Sequence, residues 1–184
     1  IADVDPQGSL AKWHGRREKA GIEDMQFVEL DINNIKGSFD YLRNETPCEI
    51  LIVDTLPVSS AYVDEVIDAS DFVVIPTKAS LSDMETVPAI LAKVVDRKIP
   101  RGFVLNEVKK NTNVEKDAKL VANSLKQNGL KILAEIPSSV QIVEAWAYGK
   151  TILEFNSSNS SCVHYVELFN KVEELTATQI KKSA

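Results

Sequence analysis

Short apolar runs and longer amphipathic stretches alternate along the chain. It opens Ile1-Ala2-Asp3-Val4-Asp5-Pro6, an apolar–acidic alternation running into proline, which predicts the end of a β-strand and the loop after it. Further β-rich runs stand at 26–30 (Gln26-Phe27-Val28-Glu29-Leu30), 50–53 (Ile50-Leu51-Ile52-Val53), 72–75 (Phe72-Val73-Val74-Ile75), 102–105 (Gly102-Phe103-Val104-Leu105) and 131–134 (Lys131-Ile132-Leu133-Ala134). Helical spacing fills stretches between them. Residues 80–97 set Leu81, Met84, Val87 or Pro88, Leu91 and Val94 or Val95 on one stripe. Residues 113–128 do the same with Val114, Ala118, Val121, Ala122 and Leu125, and residues 162–176 with Val163, Val166, Phe169, Val172 and Leu175. The polar stretch 156–161 predicts a loop, with Ser160 or Ser161 capping the last helix. Uninterrupted apolar strands such as Ile50 to Val53 and Phe72 to Ile75 predict cover on both faces. Strands alternating with helices predict βαβ units: an α/β fold with a doubly wound, mainly parallel sheet flanked by helices, as one domain over residues 1–184.

Composition narrows the class without naming a chemistry. With 184 residues, 44% of them apolar and 26% charged, the chain has material for a real core. Collagen, low-complexity disorder and a disulfide scaffold are excluded. No apolar run approaches the roughly 20 residues of a membrane span, and the opening residues lack a signal-peptide pattern. Two cysteines, Cys48 and Cys162, fit a reducing compartment, so the expected location is the cytoplasm. A strand that is already ending at residue 5 is read as the continuation of a longer chain.

Ligands of open α/β sheets bind beyond the carboxyl ends of the strands. The runs here end in Asp3-Val4-Asp5-Pro6-Gln7-Gly8-Ser9, in Val53-Asp54-Thr55-Leu56-Pro57, in Ile75-Pro76-Thr77 and in Leu105-Asn106-Glu107. Acids at buried strand ends are costly unless paired. Mg²⁺, which takes oxygen ligands and keeps several waters, would stabilise them. An apolar run ending in Asp, as in Ile50 to Asp54, has the form of a Walker B strand. Capping of a turn by the same aspartate is the structural alternative.

These segments together carry a resemblance. Asp3-Val4-Asp5-Pro6-Gln7-Gly8-Ser9 resembles the switch I segment of ParA-type partition ATPases, the deviant Walker A group of P-loop NTPases that includes MinD. Ile52-Val53-Asp54-Thr55-Leu56-Pro57 is similar to their Walker B and switch II. Phe72 to Thr77 with Leu81-Ser82-Asp83 resembles the strand and loop that follow. Ile136-Pro137, Glu144-Ala145 and Gly149-Lys150-Thr151-Ile152 resemble the late Ile-Pro, Glu-Ala and Gly-Lys stretch. The resemblance spans essentially the whole chain in order. Its phosphate loop, Lys-Gly-Gly-x-Gly-Lys-Thr, does not occur in these residues. In the family that loop stands about one strand-loop-helix unit, roughly 35 residues, upstream of the Asp-Pro-Gln segment. The expectation is an ATPase in the full-length parent, with residues 1–184 alone neither stably folded nor active.

The resemblance implies roles residue by residue. Asp5 would position the water attacking the γ-phosphate, Asp3 would support the Mg²⁺ shell, and Asp54 would hold a Mg²⁺ water. Asn106 would lie against the adenine and Pro137 would pack on the base of ATP or ADP. It also implies an ATP-dependent homodimer, a centromere-binding ParB-type partner, and a job in segregating a plasmid or chromosome. The end of the chain, Gln179-Ile180-Lys181-Lys182-Ser183-Ala184, is too weakly apolar for a MinD-like membrane anchor, which favours the partition branch and no membrane partner.

Charge adds a second expectation. Residues 93–131 hold ten Lys or Arg and four Asp or Glu, within a chain of formal net charge −6. Lys116, Lys119 and Lys126 lie opposite the apolar stripe of their helix, with Lys109 and Lys110 in the preceding loop. The two readings are a solvated helix face and non-specific DNA binding through phosphate neutralisation, which would place the protein at the nucleoid. Ser138 and Gln141 stand where the family carries arginines. Trp13, Trp146 and Tyr148 are read as packing residues, and His14 and His164 have no ligand spacing. A non-catalytic scaffold of the same fold, or an ATPase positioning another cargo, are the alternative functions.

Overall fold

The computed structural model describes residues 1–184 except 57–60, 79, 81–86, 95, 96, 98, 110, 111, 128, 129 and 184. They fall into two compact units, Ile1–Ser70 with Val143–Thr151, and Asp71–Ile142 with Ile152–Ala184.

In the first unit, β1 (Ala2–Asp3) pairs in parallel with β2 (Val53–Asp54), in the register Ala2 to Val53 and Asp3 to Asp54. The pairing continues past both ends, since Ala2 N donates to Ile52 O and Val4 N to Asp54 O, each at 2.9 Å. Helices α1 (Ser9–Lys19), α2 (Ile35–Glu45) and α3 (Ala61–Ala69) connect and cover these strands. Their core is Val4, Ile35, Phe39 and Val66, with Leu30, Leu51, Val53, Tyr62 and Ala69 against it. Asn34 caps α2 by accepting from Gly37 N at 3.1 Å, which satisfies one of the free amides of its first turn.

The late segment Val143–Thr151 is fastened to α1 by a buried cation. Arg17 is fully buried. Its guanidinium donates to both oxygens of Asp24 at 2.6 and 2.7 Å and to Gly149 O at 3.0 Å. It also lies 5.3 Å from the centroid of Trp13, which stacks on Trp146 at 5.6 Å. A buried charge is tolerated when its donors are all met, and here carboxylate, carbonyl and ring faces meet them.

The second unit is a three-stranded parallel sheet, ordered β3 (Val73–Lys78), β4 (Arg101–Val108), β5 (Ile132–Pro137). Helices α4 (Val87–Val94), α5 (Asn113–Gln127), α7 (Ile152–Phe155) and α8 (Cys162–Ser183) belong to this unit, with α5 against β4 and β5 and α8 against β5, while α6 (Val140–Ala147) begins in it and ends in the first unit. Val104, Leu133, Ala134 and Ile136 form the core, with Tyr165, Leu168, Val172 and Leu175 of α8 laid on it.

The α/β class with parallel pairing is as the pattern predicts. Differences are local. The run at 26–30 forms no strand; Val28 N donates to Ile1 O at 2.9 Å and no ladder follows. Double-sided burial fails too: Ile50 and Ile52 are 57% and 59% exposed, and Val74 is 42% exposed. The 80–97 helix is seen as Val87–Val94, with 81–86 outside the described residues. α8 begins at Cys162, directly after Ser161, and extends beyond the predicted end at 176.

Two glycines of the first unit test this packing. Gly21 (φ 71) has open space where a Cβ would stand, whereas at Gly149 (φ 66) that Cβ would lie 2.4 Å from Arg17 N. Gly21→Ala is expected to cost only the left-handed backbone term, about 1–2 kcal/mol. Gly149→Ala should cost clearly more, because helix backbone has to move. Urea denaturation of the two variants in the intact gene product checks this; equal losses would mean that the late segment does not bear on α1.

Candidate functional site

The loop after β1 is built around two aspartates. Asp3 Oδ1 accepts from Asp5 N and Oδ2 from Ala11 N, both at 3.0 Å. Ala11 lies in the first turn of α1, whose preceding residue, Gly8, has φ 61 and offers no side-chain cap. Asp3 therefore performs the capping from the strand end, where its charge also meets the positive end of the helix. Asp5 Oδ1 accepts from Gln7 N at 2.8 Å, and Gly8 N donates back to Asp5 O at 2.8 Å, closing the turn. Asp5 Oδ2 accepts no hydrogen bond from any described residue.

Asp54 stands opposite Asp3 in the register. Paired residues on adjacent strands project to one face of a sheet. The Asp54 carboxyl is held above its ordinary value, first by desolvation and then by the Asp3 and Asp5 carboxylates, with the Thr55 amide pulling the other way. Asp3, Asp5 and Asp54 are thus gathered at one strand end. None of them forms an ion pair with a described residue. Among the described residues no group of three or more His, Cys, Asp or Glu is arranged to hold a metal by itself. The chemistry of the set nevertheless fits Mg²⁺, which needs one or two carboxylate oxygens and retains water. Asp54, whose negative charge is the disfavoured one, is the group that a cation would relieve. Asp3 has both oxygens occupied by amides.

The other sequence-predicted residues lie in the second unit, where the carboxyl ends of β4 and β5 meet. Pro137 is the register partner of Val108. Asn106, half-buried, is the partner of Lys78 on β3, and its Oδ1 accepts from Glu107 N at 3.0 Å. Its Nδ2 makes no hydrogen bond to a described residue. Between Leu105 and Val108 the ladder slips, β4 advancing three residues while β5 advances two. Such bulges redirect side chains. Glu107 carries the strain, with φ 56 as the one positive value among described non-glycine residues, a cost of roughly 1–3 kcal/mol. Lys78 Nζ reaches its Oε1 at 3.0 Å. Thr77 is buried, and its Oγ1 finds no partner among the described residues.

Neither Glu107 nor Lys78 was legible as part of a site. A strand end in Asn-Glu carries no sign of a bulge, because register against a neighbour decides it. Lys109, Lys116, Lys119 and Lys126 are exposed, the last three along α5; Lys110 lies outside the described residues. No helix among the described residues is long and apolar enough to cross a membrane.

Residues 1–152 match the family model described as the CobQ/CobB/MinD/ParA nucleotide binding domain. The chain belongs to this CobQ/CobB/MinD/ParA family. An uncharacterized protein of Methanocaldococcus jannaschii is 24% identical over 151 residues, covering 78% of this chain and 54% of its own. This chain therefore spans about half the length of that curated relative. A plasmid partition protein of Borrelia burgdorferi B31, solved with AMPPNP, superposes with a TM-score of 0.67 at 15% identity, covering 94% of this chain and 85% of its own. MinD of Pyrococcus horikoshii OT3, solved with Mg-ADP, gives 0.64 at 14%, covering 79% and 58%. At these identities the structures speak for the fold, parallel sheets flanked by helices as in MinD/ParA P-loop NTPases. The family is defined by a nucleotide binding domain, and the strand-end aspartates of this member lie where ligands of open α/β sheets bind.

The raised Asp54 carboxyl has a stability consequence with a definite sign. A carboxyl whose folded value exceeds its unfolded one weakens folding once pH passes the ordinary value of 3.8, and the penalty is complete above the raised value. Asp54→Asn removes the charge and is expected to raise the urea midpoint at neutral pH, with the gain vanishing below that ordinary value. A midpoint that is unchanged at neutral pH, or a gain that persists in acid, contradicts the crowding of the three carboxylates.

Proposed function

We propose that this chain is part of an ATP-hydrolysing partition or positioning protein that works as an ATP-dependent homodimer, its residues 1–184 forming one ATPase domain. The observation that carries the reading is the gathering of Asp3, Asp5 and Asp54 at one pair of strand ends, with no ion-pair partner among the described residues, in a CobQ/CobB/MinD/ParA family member. The Mg-ADP and AMPPNP in the two neighbours named above support ATP or ADP with Mg²⁺ as the ligands.

In this reading Asp54 holds a water of the Mg²⁺ shell and Asp3 supports that shell from its capping position. Bound Mg²⁺ supplies neutralisation of phosphate charge. Asp5, its Oδ1 fixed by Gln7 N–H and its Oδ2 open, orients the attacking water and accepts its proton. Asn106 donates its amide to the adenine and Pro137 packs on the base. These roles need a phosphate-binding loop, which residues 1–184 do not contain, and they are proposed for a gene product that carries one. The cargo is a plasmid or chromosome, reached through a centromere-binding ParB-type partner and through DNA held on the lysines of α5, which would place the protein at the nucleoid in the cytoplasm.

ATP turnover by the intact gene product, with and without DNA and a partner extract, tests the proposal. Asp5→Ala is expected to lower turnover by about 10²–10⁴-fold while ATP still binds. No turnover in the intact protein, or turnover undiminished by Asp5→Ala, sinks the assignment.

DNA binding has its own measurement. Replacing Lys116, Lys119 and Lys126 together by Ala should weaken duplex affinity for any sequence and flatten the salt dependence by about three phosphate contacts. Unchanged affinity and slope would remove the DNA face and favour an ATPase that positions a different cargo.

A further inference from the structure

The bulge in β4 sits beside the residue assigned to the base, and its construction is specific. Its extra residue falls at Asn106–Glu107, and Glu107 is in a backbone conformation that side chains other than glycine avoid. Strain of this kind persists only where surrounding contacts over-determine it. Two such contacts are present. The Asn106 Oδ1 takes the Glu107 N–H at 3.0 Å, and Lys78, the register partner of Asn106 on β3, holds the Glu107 carboxylate at 3.0 Å. On the other flank the ladder resumes at Val108 and Pro137.

The first contact fixes the amide. With Oδ1 set against a backbone donor, a flipped Asn106 would place N–H against N–H. Its Nδ2 is therefore the edge offered outward, a donor suited to a ring nitrogen of a purine. The second contact fixes the bulge itself, because without Lys78 the Glu107 side chain has no described partner to hold its backbone in place. The buried Thr77 hydroxyl, unpartnered among the described residues one position before Lys78, marks the same strand end as incomplete in protein contacts alone.

We propose that the Lys78–Glu107 pair is a positioning device for the Asn106 amide and so a determinant of base recognition in a bound purine nucleoside triphosphate. This rests on the nucleotide reading above but concerns residues which that reading leaves without a role. The pair acts through Asn106, and the proposal gives it no part in holding phosphate or Mg²⁺.

The test compares two ligands in the intact gene product: ATP, and inorganic tripolyphosphate, which has no base. Lys78→Met and Glu107→Gln are each expected to weaken ATP binding about fivefold, the range an exposed ion pair can supply, with tripolyphosphate affinity unchanged. The double variant should be no weaker than either single one, since both break one interaction. Exchanging the charges, Lys78→Glu with Glu107→Lys, should recover part of the loss. A general structural defect would lower both affinities together and overturn the proposal, as would single variants with an unchanged ratio of ATP to tripolyphosphate affinity. If the unsubstituted protein binds neither ligand, the nucleotide reading falls and this inference with it. If it binds ATP while the ratio stays fixed in the variants, only this inference falls.

Discussion

A single carboxylate organises the front of this protein. Asp3 accepts one amide from the loop at Asp5 and one from the first turn of α1 at Ala11, so strand end, loop and helix are tied through one side chain. Charge-assisted bonds of this kind are stronger than neutral ones. The arrangement also explains why α1 manages without a capping side chain at Gly8. Asp5 inherits its position from it, because its own amide is one of the two donors.

The same constraint creates a conflict. Parallel pairing sets Asp54 directly across from Asp3, and two acids on one face of a two-stranded ladder repel. Among the described residues only the Thr55 amide works against this, and the Asp54 carboxyl is pushed up, first by desolvation and then by the Asp3 and Asp5 charges. Arg17 shows what the fold does with a charge that serves only structure: it is fully buried and met by carboxylate, carbonyl and aromatic faces. A satisfied buried cation and an unsatisfied acidic cluster in one unit mark the boundary between scaffold and site. Perturbed carboxyls at strand ends are where chemistry concentrates.

Strain is distributed by the same logic. Gly8, Gly21 and Gly149 adopt positive φ at little cost because they lack a Cβ. Glu107 does so against its own preference, and the side chains that hold it there are those next to the amide assigned to the base. A local rule broken with compensating contacts on either side is more informative than an isolated irregularity.

Much of the fold was legible in the pattern, since period and apolar content decide strands, helices and parallel pairing, and the runs at 72–75, 102–105 and 131–134 each fall on a strand that continues further toward its carboxyl end. The placing of acids at strand ends was legible as well, and Asp3, Asp5 and Asp54 stand at the ends of β1 and β2. Pattern alone misjudged 26–30, because an apolar run forms a strand only when a neighbour offers a complete edge. It also expected cover over Ile50 and Ile52 that the described residues do not supply. The chemistry at the end of β4 was hidden for a sharper reason. Side-chain identity is a property of sequence, whereas a bulge is a mismatch in count between two strands. The sequence by itself determined which residues carry charge and where strands end. Only the tertiary structure decided that Asp3 would be spent on one loop amide and one helix amide, that Asp54 would stand crowded beside it, and that Glu107 would be bent back toward Lys78. The last two depend on register, and register is set by distant segments packing together.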